Sequence, residues 1–256
     1  MKTTLIFCFM AFLASNLIFG QMGPYINQAK FNWKEWESVK AKGEKLQIVE
    51  SIAQMENFEK FQLGAWEKKL DNFKVIDIDA DGIDDVVYSG PDEKGTPTVI
   101  FYRNDGENFK DIFLQYGHLI YVSRDKPWEP ISFQIVKPID NLDHELQICS
   151  HSFKDGHLNF TLTNTIIMRN GLKVLKENLP PMLFEIKDKS SELHLLPDPG
   201  QPNNIKIYDP GDLGFAIGSE MNPRNEIWWF VLMKEPQNKL RAGWMNPKNL
   251  KRLRSL

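Results

Sequence analysis

Cysteine is nearly absent from this sequence. Of 256 residues only Cys8 and Cys149 are cysteines, and Cys8 lies in the first apolar stretch. Without that stretch a single thiol remains, so no disulfide can form within the chain and stability must come from a packed core or bound ions. Histidine is also scarce: His118, His144, His151, His157 and His194 form no H-x-x-x-H or H-E-x-x-H pair. No G-x-S-x-G, P-loop or G-x-G-x-x-G is present, so the common signatures of acyl transfer, phosphate binding and dinucleotide binding are missing. Nor is there an excess of positive charge. With 31 Lys and Arg against 34 Asp and Glu the net charge is −3, which supplies no overall field for a nucleic acid.

What is present begins with Lys2 and the run LIFCFMAFLASNLIFG, which ends at Gly20. A short positive start, an apolar core and a small residue before polar sequence make the pattern of a secretory signal peptide. The run is short for a membrane span. The expected cleavage precedes Gln21, with an uncleaved anchor as the alternative. Cleavage leaves a 236-residue chain with no transmembrane span, exported to the periplasm or the extracellular space. Its composition, 42% hydrophobic and 25% charged, is that of a globular protein.

Four segments follow from the pattern: the signal peptide (1–20), a helical segment (21–70), a β-region (71–186) and a C-terminal β-module with a basic tail (187–256). Between Asn32 and Leu70, apolar residues such as Leu46, Val49, Ile52 and Met55 recur at helical spacing. Gly43 and Gly64 are expected to break the segment into short helices. From Phe73 onward short β-prone runs alternate with turn signals. Asp105-Gly106 and Asp155-Gly156 read as hairpin turns, and Pro180-Pro181 with Lys187–Glu192 reads as a boundary. The expected fold is mainly β with an N-terminal helical segment.

The run VIDIDADGIDDVVYSG, from Val75, crowds five aspartates between two β-prone stretches. Two carboxylates about 5 Å apart repel by roughly 3 kcal/mol at an effective dielectric near 20, so the loop demands a countercharge. The spacing D-x-D-x-D-G-x-x-D aims alternate carboxylates at one centre. Calcium takes six to eight hard oxygen ligands at about 2.3–2.6 Å. The expected set is Asp77, Asp79, Asp81 and Asp85 with the backbone carbonyl of Ile83, brought inward by the bend that Gly82 permits. Asp84 breaks the alternation. An EF-hand is excluded, because its twelfth position, which needs Glu, is Tyr88 here and the flanks are strands.

This loop, with VIFYRNDGENFKDIF as the next hairpin, resembles the calcium-binding FG-GAP or VCBS-type β-propeller repeat over about 73–113. The resemblance implies a structural Ca2+. One or two blades do not close a propeller, so it also implies a divergent or partial propeller-like β-region. The stretch Ile139–Asp143, where a second loop would fall, lacks the central Asp and the Gly, and no metal is expected there.

A second resemblance covers about 192–254. Leu195–Pro199 as an early Pro-containing loop, the turn Pro210-Gly211-Asp212, the strand Trp229–Leu232 and the ending Gly243-Trp244-Met245 with Leu250 resemble the bacterial SH3-like domain, a small β-barrel. Trp228 and Trp229 must point to opposite faces of a strand. Either of them, or Trp244, is thus a candidate contact for an extended peptide or glycan, although most such tryptophans serve the core.

Together these readings lead to an exported, calcium-binding, non-enzymatic binding or adaptor protein of the bacterial envelope. Its C-terminal module is expected to engage peptidoglycan, a wall peptide or an envelope protein. The alternative is a periplasmic immunity or inhibitor protein against a toxin or hydrolase. A hydrolase built on Cys149 and His151 would need both in a cleft, and LQICSHSF reads instead as strand core. A zinc site joining His151 and His157 across a hairpin is a further weak pattern.

Overall fold

A computed structural model describes residues 35–39, 41–56, 58–140, 142–154, 157–175, 179–198 and 203–253; the stretch expected to be a signal peptide and the turn expected at Asp155-Gly156 lie outside them. The fold is mainly β. It divides into two compact units, one of Lys30–Pro138 with Gln147–Thr163, the other of Ile139–Leu146 with Asn164–Leu256. Among the described residues no helix is long and apolar enough to cross a membrane.

In the first unit, α1 (Lys42–Ala53) and two short 3-10 turns precede a four-stranded antiparallel meander of β1 (Phe73–Ile76), β2 (Asp85–Pro91), β3 (Pro97–Asn104) and β4 (Phe109–Tyr116). Gly43, expected to interrupt the helix, lies in its first turn, where backbone amides lack intrahelical partners in any case. Gly64 does break the segment, at φ +59°. Asp105-Gly106 turns β3 into β4, closed by the Asp105 amide donating to the Asn108 carbonyl.

Strand alternation sorts the side chains of this sheet into two layers. Phe73, Val75, Val86, Tyr88, Ile100 and Tyr102 pack with Val49 and Ile52 of α1. Ile76, Val87, Val99 and Phe101 face the other way, against Val122 of β5 (His118–Ser123), Phe133 and Ile135 of β6 (Ser132–Pro138) and Cys149 of β7 (Asp143–Lys154). A sheet covered on both sides needs near-continuous apolar strands, and hence reads VIFY rather than alternating.

In the second unit, β9 (Met182–Ile186), β12 (Leu213–Met221), β13 (Ile227–Lys234), β14 (Lys239–Met245) and β15 (Leu250–Arg252) order as β15-β9-β12-β13-β14. A hairpin of β10 (Ser191–His194) and β11 (Asn204–Tyr208) lies between β9 and β12 in the chain. The boundary expected at 187 falls between β9 and β10, so β9 joins the sheet of the C-terminal strands. The core holds Phe184, Ile186, Leu193, Val231, Met233 and Met245. Two glycines allow its close approaches: a Cβ on Gly214 would lie 2.6 Å from Met233 Sδ, and one on Gly243 2.4 Å from Leu193 Cγ.

The expected barrel is not closed. The outer edge of β14 pairs in parallel with β8 (His157–Arg169) at Leu240↔Ile166 and antiparallel with β10 at His194↔Trp244, and β15 lies at the end of an open sheet. A partly buried ion network lies along this edge. Asp143 accepts from Arg169, and from Arg241 Nη1 at 2.8 Å; Arg241 reaches Glu235 at 3.2 Å, and Glu235 accepts from Lys206 and Tyr208.

Candidate metal centre

The aspartate loop joins β1 to β2 at one end of the first unit. Its coil comes from two residues in the left-handed region, Ala80 at φ +63° and Gly82 at φ +85°. For Ala this costs roughly 1 kcal/mol. The Asp77 carboxylate bridges the coil, accepting from the amides of Ala80 at 2.7 Å and Gly82 at 3.2 Å. Asp85, at the first position of β2, is 0% exposed. It accepts from the amides of Ile78 at 2.9 Å and Asn104 at 2.7 Å.

This geometry brings Asp77, Asp79 and Asp85 together, with one carboxylate oxygen of each within 4.8 Å of the others. Two oxygens bound to one calcium ion are separated by at most about 5 Å, twice the bond length. That spacing is compatible with a single hard cation, and its donors are all oxygen. Asp81 stands apart from the triad. Its carboxylate accepts from the Ile83 amide at 2.8 Å and lies 3.5 Å from Arg103 Nη2.

The residue missed by sequence reasoning is Arg103, at the end of β3. Its Nε donates to Asp79 at 2.6 Å. The loop's demand for positive charge is thus met in part from within the chain. One guanidinium against Asp77, Asp79, Asp81 and Asp85 still leaves an excess of negative charge. Arg124, which follows β5, donates to the Asp77 carbonyl, and the Asn104 side chain donates to the Asp84 carbonyl at 3.2 Å. Both cationic partners lie more than twenty residues from their targets, so no local motif announces them.

Burial raises the pKa of the Asp85 carboxyl to about 7, against the opposing bonds from Asn104 and Ile78. Asp79 is raised by burial too, with Arg103 pulling the other way. Both shifts record the cost of holding carboxylate charge in a dry loop.

The other sequence candidates are dispersed. Trp228 and Trp244 are 1% and 0% exposed, so neither lines a surface groove. Trp228 stacks edge-on to His194, and Trp244 donates from Nε1 to the Lys173 carbonyl at 2.6 Å. Trp229 packs in the core on the opposite face, against Phe184. As placed, Trp228 and Trp244 are closed off from solvent by the chain itself, while Trp229 is half-buried. Cys149 lies in strand core, where burial pushes its thiol up to about 12. His151 packs on Phe160, and burial lowers it to about 4; the His157 side chain is outside the described set. Comparison of the chain with protein-family models, curated proteins and solved structures returns no match.

Proposed function

We propose that the protein is a calcium-stabilised, non-enzymatic binding or adaptor protein of the bacterial envelope, exported by its N-terminal signal. The observation that carries this reading is the convergence of Asp77, Asp79 and Asp85 at the β1–β2 turn. Bound there, Ca2+ would supply the positive charge that Arg103 alone leaves short, with the Ile83 carbonyl and Asp81 as further oxygen donors. The millimolar calcium found outside cells suffices for a weak site of this kind. The residues' own part is to hold the turn: Asp77 ties its coil, Asp85 ties it to β3, and Arg103 holds Asp79.

Two features support the finer family readings. Four antiparallel strands in sequential order, with the aspartate loop between the first two, suit a propeller-like blade. In the second unit the turn Pro210–Asp212 leads into β12, Trp229–Leu232 lies in β13, and a 3-10 turn at Pro247–Asn249 separates β14 from Leu250. That is the succession of features by which the sequence resembles the SH3-like domain. The buried, high-pKa Cys149 supports the non-enzymatic reading.

The test is co-sedimentation of the chain spanning Gln21–Leu256 with purified wall sacculi, with calcium and with chelator. Calcium-dependent co-sedimentation supports the reading. Equal recovery in the soluble fraction under both conditions removes the wall as the partner.

A further inference from the structure

Trp244, one of the three tryptophans that the sequence suggests as ligand contacts, is met by a segment of its own chain. Trp228 and Glu220 are cross-strand partners, as are Phe230 and Trp244. Directly opposed residues share a face of the sheet, so Glu220, Trp228, Phe230 and Trp244 line one surface. The Phe230 and Trp244 rings lie 5.2 Å apart, and His194 of β10 stands 5.2 Å from Trp228.

Across this surface runs the non-helical, non-strand segment Leu172–Leu175, held at Lys173 by every polar group it offers. The Lys173 amide donates to the Leu195 carbonyl at 3.0 Å. Its carbonyl accepts from Trp244 Nε1 at 2.6 Å. Its ammonium pairs with Glu220 and lies 5.7 Å from the centre of the Trp244 ring. Leu175, two residues on, is buried. A backbone amide and carbonyl that are both engaged, a buried leucine two residues on and a cation on a carboxylate are elements by which a groove reads a peptide. The fit is incomplete at one point: Trp228 Nε1 is buried without a hydrogen-bond partner, leaving one donor on this surface that the segment does not use.

We infer that this aromatic surface is a peptide-binding site occupied in cis by Leu172–Leu175, and that its external partner is an extended peptide carrying a basic residue flanked by apolar ones. The inference rests on the binding-protein reading above and specifies the partner's chemistry. The basic residue seats on Glu220, its carbonyl takes the Trp244 donor, and an additional acceptor in the partner reaches Trp228 Nε1. In the resting protein the internal segment blocks the surface, so a partner must displace it.

The experiment uses the Gln21–Leu256 chain and a fluorescein-labelled peptide of sequence Gly-Leu-Lys-Val-Leu, that of the internal segment. Lys173→Glu sets like charges against each other at Glu220 and loosens the segment. It is expected to red-shift tryptophan emission and to bind the peptide at least tenfold more tightly than the wild type. The double variant Lys173→Glu/Glu220→Lys restores the pair, and is expected to recover wild-type emission and lose the gain in peptide binding. A peptide with Glu in place of Lys should not bind Lys173→Glu. Three outcomes overturn the inference: wild-type emission with no peptide binding in the folded Lys173→Glu variant, equal binding of the two peptides, or unfolding of that variant. The last would show the segment to be a fixed part of the core. Wild-type co-sedimentation with sacculi reads the envelope assignment separately, so failure of the peptide titration leaves that assignment to its own test.

Discussion

Asp143→Asn is the perturbation that most sharply tests how the second unit is held together. The Asp143 side chain is 8% exposed and sits between two guanidiniums, accepting from Arg169 Nε and Nη2 and from Arg241 Nη1. Each charge pair at about 4 Å contributes roughly 4 kcal/mol at an effective dielectric of 20, offset by several kcal/mol of desolvation per ion. The asymmetry on removal decides the result. Asparagine keeps the shape but leaves two cations facing a neutral amide, and breaking a buried pair in this way costs about 3–5 kcal/mol. Arg169 is 25% exposed, and Arg241 retains Glu235, so the expected loss is at the lower end, about 3 kcal/mol. In urea unfolding followed by tryptophan fluorescence, a slope of about 2 kcal/mol per molar converts this to a midpoint lower by roughly 1.5 M. The triple variant Asp143→Leu/Arg169→Met/Arg241→Met should recover most of the loss, because no buried charge is left unpaired. The pH dependence follows from the same contacts. Burial alone would raise the Asp143 carboxyl, but the bonds from Arg169 and Arg241 outweigh it and hold the group below the usual carboxylate range. The unfolded chain then binds the proton first, so this stability is present above about pH 4 and is lost as pH falls through the lowered folded value. A loss under about 1 kcal/mol for Asp143→Asn would refute the reasoning.

Three further outcomes are expected. Gly243→Ala places a methyl 2.4 Å from Leu193 Cγ and should cost about 1–3 kcal/mol by overpacking; in a double-mutant cycle with Leu193→Ala the two losses should be less than additive. Cys149, its thiol pushed up to about 12, should resist a thiol-reactive disulfide at pH 8 in native protein and react promptly in denaturant. Arg103→Gln removes the cation that competes for Asp79. It should lower the melting temperature in chelator while tightening calcium binding roughly tenfold, or about 1.4 kcal/mol, as read by calorimetry.

The parts of this architecture that were legible in the sequence are those encoded over a few residues. D-x-D-x-D-G marks the β1–β2 turn because its coil and its carboxylates come from adjacent positions, and Asp105-Gly106 marks the β3–β4 hairpin. The apolar run VIFY announces a strand covered on both faces. What was hidden depends on residues far apart in the chain. Arg103 reaches Asp79 from 24 positions away, and Arg241 reaches Asp143 from 98; nothing local distinguishes these arginines from solvated ones. The fate of the tryptophans was hidden for the same reason. Alternation correctly sets Trp228 and Trp229 on opposite faces of β13, but it carries no information about Lys173, which meets Trp244 and Glu220 on the neighbouring strands. Gly43 marks the first turn of a helix that begins at Lys42, not a break inside a longer one.

The most direct test of the central claim is thermal unfolding of the chelator-treated Gln21–Leu256 chain in rising calcium, alongside Asp77→Asn/Asp79→Asn. For a site with a dissociation constant near 0.1 mM, as extracellular calcium modules have, about 10 mM calcium stabilises the folded state by roughly 2.7 kcal/mol. In a chain of this size that corresponds to a rise of about 5–10 °C. The expected result is this rise in the wild type and its loss in the variant. An unchanged melting temperature in the wild type, or an equal rise in both proteins, would contradict it.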